Sequence, residues 1–176
     1  MATRLYAANS GSVAATPAID ASWTGAVSTF ARYPMDVAVS GTALADHSDT
    51  LSGAVTAQYA WGQWISTQVL NVDQTITGTL DLSFGVQEVV NTANFYTALV
   101  LRVLKPDGTI RGTLLVHQTS SGGTEWGVTL RTRIWSGLTL TSVAALAGDR
   151  LVLDLGAYAL LPVLDSVGLI RWGDPS

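Results

Sequence analysis

The residues that most often carry chemistry are few and scattered in this chain of 176 residues: His47 and His117, Glu88 and Glu125, a single lysine, Lys105, and no cysteine. His47 sits in ADHSD (45–49), beside Ser48 and two aspartates. A Ser-His-Asp triad requires side chains converging from separate elements, so contiguous residues cannot supply one, and the stretch reads as a solvated loop. His117 ends IRGTLLVH on its outward parity and reads as a strand-end residue. Two isolated histidines do not make a His-rich zinc site. The lack of cysteine removes disulfides, iron–sulfur clusters and Cys-containing zinc sites together. A glycosidase needs two carboxyls about 5–9.5 Å apart across the sugar. Neither Glu88 nor Glu125 sits in a context that favours pairing with one of the eleven aspartates. Lys105 abuts a turn, PDGT, at 106–109. No EF-hand spacing, P-loop, GxSxG or HExxH occurs. The sequence therefore assigns no catalytic, cofactor-binding or metal-binding residue, and the expectation is a protein that is not an enzyme and carries no cofactor.

Six tryptophans are the richest feature. Trp126 falls on an inward parity and is expected in the core. Trp61 and Trp64, in AWGQW, flank a strand end, and Trp135 lies just beyond Arg133. Rings on a sandwich surface stack on sugars, so Trp61, Trp64 and Trp135 are the candidates for glycan or partner contact. The competing reading places them in the core or in a subunit interface, where Trp is enriched.

The elements that would position these residues have a period of two, and helical periodicity is hard to find. In QTITGTLDLSF (74–84), Ile76, Gly78, Leu80, Leu82 and Phe84 fall on one parity, and Thr75, Thr77, Thr79, Asp81 and Ser83 on the other. Met35, Val37 and Val39 alternate with small or polar residues. PDGT separates Phe95–Leu104 from IRGTLLVH as a hairpin turn, since Pro suits its second position and Asp-Gly is a strong reversal signal. On the return strand Ile110, Gly112, Leu114 and Val116 share one side. Glu125–Ile134 reads as a strand with Trp126, Val128, Leu130 and Ile134 inward and Glu125, Thr129, Arg131 and Arg133 outward. After a turn at 146–148, Leu151, Leu153 and Leu155 point inward, against Arg150, Val152 and Asp154. A last strand is Gly168–Trp172, and weaker segments near Thr3–Tyr6 and Val55–Trp61 bring the expectation to roughly eight to ten strands. Turns every 8–12 residues mark an antiparallel sandwich or barrel. The stretches 8–18 and 40–53 are small and polar and read as surface loops or, over residues 1–20, an extended N-terminal arm.

Two segments break the in/out rule. In Phe95–Leu104 the second parity is also apolar, with Tyr96, Val100 and Leu104. AYALLPVL (157–164) is an apolar connection where polar residues belong. One reading is a central strand covered by the N-terminal segment, with a loop tucked over a sheet end. The other makes Tyr96, Val100, Leu104, Leu160, Leu161, Val163 and Leu164 interface residues, because large exposed apolar patches mark interaction sites.

Composition fits such a chain. Charged residues make up 12%, about half the usual ~25%, and hydrophobic residues 48%. Net charge is −4, and the eight arginines and one lysine are scattered, so no basic cluster offers phosphate neutralisation and nucleic acid is not an expected partner. No apolar run reaches the ~18 residues of a membrane span, and the N-terminus shows no secretory leader. The length suits one domain, 1–176.

Several segments in order, AQY (57–59), QTITGT (74–79), RVLKPDGTIRGTLL (102–115), EW (125–126), TSVAALAGDRLVLDLG (141–156) and RWGD (171–174), resemble a group of uncharacterised β-rich virion structural proteins of tailed bacteriophages and environmental viruses. The opening MATRLYAANSGSVAATPAIDASW shares the likeness. The most specific pieces are the DGT-x-RGTLL hairpin and the AGDRLVLDLG strand. The resemblance implies location in a virion, with the chain itself and other virion proteins such as the major capsid protein as partners. It carries no catalytic motif. The fold expectation is all-β: an antiparallel β-sandwich, jelly-roll-like. The functional expectation is a capsid-decorating, tail or fibre component, and the alternative is a glycan-binding module for surface attachment.

Overall fold

A computed structural model describes residues 3–38, 45–51, 56–89, 93–117, 124–160 and 166–172. These residues form an all-β, jelly-roll-like sandwich of two facing sheets. The elements are β1 (Tyr6–Ala7), β2 (Gly25–Asp36), β3 (Ala45–Leu51), β4 (Ala57–Ser66), β5 (Gln74–Glu88), β6 (Phe95–Leu104), β7 (Ile110–His117), β8 (Arg131–Ala145), β9 (Arg150–Ala159) and β10 (Ser166–Trp172). One sheet has the order β1-β2-β4-β9-β6-β7 and the other β3-β10-β5-β8.

The order explains an exception to antiparallel pairing. A jelly roll lettered from B places B, I, D and G in one sheet and C, H, E and F in the other. Here β3-β10-β5-β8 matches C-H-E-F, and β2, β4 and β9 match B, D and G. The β6–β7 hairpin is inserted between E and F and extends the first sheet beyond G. Among the described residues no strand occupies the position of I. Strands B and D would both run opposite to I, so once they meet directly they must run the same way, and β2 pairs with β4 in parallel.

The alternation in β5 is as the sequence dictates. Thr75, Thr77, Thr79, Asp81 and Ser83 are exposed, while Phe84 and Val86 are buried and Ile76, Leu80 and Leu82 pack half-buried on the core. The PDGT hairpin also forms. Gly108 takes φ +85°, and Asp107 Oδ1 accepts hydrogen bonds from the Thr109 amide and hydroxyl at 2.8 and 2.7 Å.

β-Bulges reassign the faces of three strands. In β4 the register shifts between Ala60 and Gly62, which leaves Trp61 as an extra residue. Three positions apart, Trp61 and Trp64 would face opposite ways on a regular strand; with the bulge both indoles enter the core, each 1% exposed. In β7, Leu101 opposes Leu115 but Arg102 opposes Thr113, so Leu114 is extra. Beyond it Leu115 and His117 turn inward, and His117 packs edge-on against Trp135 at 4.6 Å rather than facing out. β8 bulges twice against β5, once beside Gly137, whose amide donates to Asp81 at 2.7 Å.

Two further expectations are corrected. Residues 45–51, read as loop, form edge strand β3, paired with β10 along its whole length. A polar sequence without alternation is compatible with a sheet edge, where charge discourages pairing with other chains. The stretch 124–130 is not a strand. Trp126 is buried as expected, but Val128 and Ile134 are exposed, and Arg131 and Arg133 fall on the core-facing parity of β8 with Trp135, opposite Val86 and Phe84.

Candidate functional site

The outer face of the six-stranded sheet is covered by the chain's own N-terminal segment. The segment begins at β1 and is anchored at Ala8, whose carbonyl accepts from Trp64 Nε1 at 3.2 Å and Trp172 Nε1 at 3.1 Å. Those two indoles meet edge-to-face at 5.0 Å. Residues 9–24 then cross the sheet as a strap. Val13 and Ala15 pack on Ile65, Leu104 and Val152. Ile19 and Trp23 pack near Ala60, Ala98 and Val100.

Between these apolar contacts lies a buried polar latch. Asp154, fully buried, accepts from Gln63 Nε2 at 2.8 Å, from Arg102 Nη2 at 2.7 Å and from the Asp20 amide at 3.1 Å. Arg102, 3% exposed, also donates to the carbonyl of Ala18 at 3.0 Å. Arg32 joins Gln63 Oε1 at 2.8 Å to the carbonyl of Pro17 at 3.2 Å. A buried carboxylate is tolerated only when paired and hydrogen-bonded, and here three donors meet it. The latch fixes the strap at 17–20. Two of its members, Arg102 and Asp154, are legible as charged residues in the middle of the second parities of β6 and β9, but their partners in the strap are not.

The strap settles the placement of several interface candidates. Val100 and Leu104 are fully buried inside the chain, so they are not surface residues; their apolarity serves the strap contact. Tyr96 and Leu160 are half-buried at the opposite end of the sandwich from Leu104. Tyr96 meets Tyr158 at a tilt, ring centroids 6.5 Å apart, and the Leu160 amide donates to the carbonyl of Asn94. Leu161, Val163 and Leu164 lie outside the described residues. The glycan candidates are corrected in the same way. Trp61 and Trp64 are sealed in the core and offer no face to a sugar. Trp135 is half-buried, with His117 and Phe84 packed edge-on against it.

The two glutamates come together at the end of the sandwich where β5 finishes. Glu88 is 1% exposed and sits on the core parity of β5 after Phe84 and Val86. Its Oε2 accepts from the Phe95 amide at a long 3.4 Å. Burial, with a smaller push from the Glu125 charge, raises its pKa to about 7. Burial and the same two carboxylates raise Tyr96 as well. A carboxyl so placed holds a proton near neutrality but meets no solvent-borne substrate. Burial lowers the His117 pKa and so favours the neutral imidazole. Among the described residues no group of three or more His, Cys, Asp or Glu could hold a metal ion.

Fold and latch together define a strapped, jelly-roll-like β-sandwich. No protein-family profile and no curated protein sequence matches the chain. Among solved structures it is similar at 12% identity and TM-score 0.26 to infectious bursal disease virus, Gx strain, over 74% of this chain and 40% of that one. It is similar at 13% identity and TM-score 0.19 to the VP2 subviral particle of infectious bursal disease virus, over 73% of this chain and 40% of that one. The chain thus spans about 40% of the length of either. Values this low establish no correspondence of function.

Proposed function

We propose that this chain is a structural component of a phage-like virion, decorating the capsid or contributing to a tail or fibre, and that it acts by binding copies of itself and neighbouring virion proteins such as the major capsid protein. The observation that carries this reading is the set of large apolar residues left exposed on an otherwise self-sealed sandwich. The chain closes the apolar outer face of its six-stranded sheet with a latched strap, and the core between the sheets is a stiff block of interlocked indoles and aliphatic side chains. Large apolar residues remain exposed beyond the strand ends, Val37, Val69, Val72 and Leu146 at one end and Val89 and Val128 at the other, and on two strands, at Val116 of β7 and Ile134 of β8. Such positions are available to neighbours without disturbing the core. The resemblance of the hairpin and the AGDRLVLDLG strand to phage virion proteins points the same way.

The test is electron microscopy of the purified protein alone and mixed with phage-like particles from its source, together with mass spectrometry of those particles. The expected result is a stoichiometric virion protein with ordered density. Absence from the particles, combined with a strictly monomeric protein in solution, would sink the reading.

A further inference from the structure

Of the eight arginines, three are held by carboxylates: Arg102 by Asp154, Arg111 by Asp149 and Arg171 by Asp46. Arg32 is engaged by Gln63 and the Pro17 carbonyl, and Arg150 by the carbonyls of Ser66 and Thr67. Arg4 interacts with Tyr6. Arg131 and Arg133 are different. They stand two residues apart on one parity of β8, and among the described residues neither has an ion-pair partner. In a chain of net charge −4 this is a local surplus of positive charge.

Their position is also unusual. They share the core-facing side of β8 with Trp135 and oppose Val86 and Phe84, where the pattern calls for apolar residues. Instead of filling the core, they line an open depression of about 340 Å³ with Thr124, Gly127, Val128 and Thr129. Arg133 is pinned by a hydrogen bond from Nη2 to the carbonyl of Glu125, while its buried Nε has no partner. Arg131 lies against Gly127, with Nε 4.0 Å from where a β-carbon would stand. Charged groups facing this region are the half-buried Glu125 and the buried Glu88, and neither is within ion-pair distance of the two guanidiniums. The outward-facing fork of a guanidinium matches the oxygens of a carboxylate, phosphate or sulfate.

We propose that Arg131 and Arg133, with the hydroxyls of Thr124 and Thr129, form a binding site for one oxyanion group in the depression between the 124–129 segment and β8. The ligand class is a small molecule or sugar bearing a carboxylate, phosphate or sulfate. Arg133, fixed by Glu125, supplies the preset donor. Arg131, exposed at the rim, closes on the ligand from the other side. The inference does not rest on a virion role, since the site would serve a free protein equally.

The experiment titrates the full chain with glucuronate, inorganic phosphate and sulfate in separate calorimetric runs at constant ionic strength, with sodium chloride as the control. Saturable binding of at least one of the three is expected. Arg131→Gln should weaken it about tenfold, the size of one lost charge-assisted hydrogen bond. Arg131→Lys should weaken it less than Arg131→Gln does. Because Arg131 is exposed, an unchanged melting temperature shows that the variant folds. Preference for glucuronate would assign an acidic sugar or other carboxylate, and preference for phosphate or sulfate a tetrahedral anion; either supports the site. Failure of all three to saturate, or binding that Arg131→Gln leaves intact, would overturn it.

Discussion

The outer faces of the two sheets were built from similar strands and ended in opposite states. On the four-stranded sheet, Thr75, Thr77, Thr79, Asp81 and Ser83 of β5 meet water, and the cross-strand pair of Arg171 with Asp46 stays partly exposed. On the six-stranded sheet, Ala98, Val100, Arg102 and Leu104 of β6 are buried beneath residues of the same chain. An apolar outer face is therefore no sign of a missing partner when the chain carries its own cover. What distinguishes the covered face is a charge in its middle: Arg102 and Asp154 make the strap's position specific, where apolar contact alone would let it slide.

The comparison breaks most readily at the latch. Asp154→Ala leaves the buried Arg102 with only the longer ion pair to Asp20 at 3.9 Å and should destabilise the protein by about 3 kcal/mol in urea unfolding followed by circular dichroism. A loss below about 1 kcal/mol would mean the strap is held by its apolar contacts alone.

Glu88 sharpens the contrast between a buried carboxylate that is compensated and one that is not. Its folded pKa of about 7 lies above the ordinary glutamate value of 4.5, so the folded state holds a proton that the unfolded chain releases. Stability is then greatest below about pH 4.5 as far as this group is concerned, and falls as pH rises towards and through 7, by about 3 kcal/mol in all. Glu88→Gln should remove that slope between pH 5 and 8, read from urea midpoints. Aspartates such as Asp149, lowered chiefly by Arg111, act in the opposite direction and only in more acidic solution. An unchanged slope in the variant would rule out Glu88 as its source.

Smaller effects separate the faces residue by residue. Ile65→Val removes one methylene under Val13 and Ala15 and should cost about 0.5–1.5 kcal/mol. Thr79→Ala, on the bare face, should stay within about 0.5 kcal/mol. Equal losses at the two positions in parallel thermal melts would show that the strap does not seal its face.

Much of the architecture was legible in the residues. The alternation of QTITGTLDLSF, the PDGT reversal and the inward leucines of β9 depend on local sterics and a period of two, which sequence carries directly. The all-β class and the sandwich followed from repeating such signals. The apolar second parity of β6 was equally legible, but it left two explanations standing.

Tertiary structure chose between them, because only contacts between residues far apart in sequence decide what covers a face. The same holds for the tryptophans. One extra residue at Trp61 and another at Leu114 shift the faces of β4 and β7, and a bulge is a property of a strand pair rather than of a strand. Asp154 meets Asp20 across 134 positions, and Glu88 meets the charge of Glu125 from another element. Composition determined that this chain folds as stacked strands with few charges. The pairing of those strands determined which of the few charges are buried, which are matched, and which two arginines are left with room for a ligand.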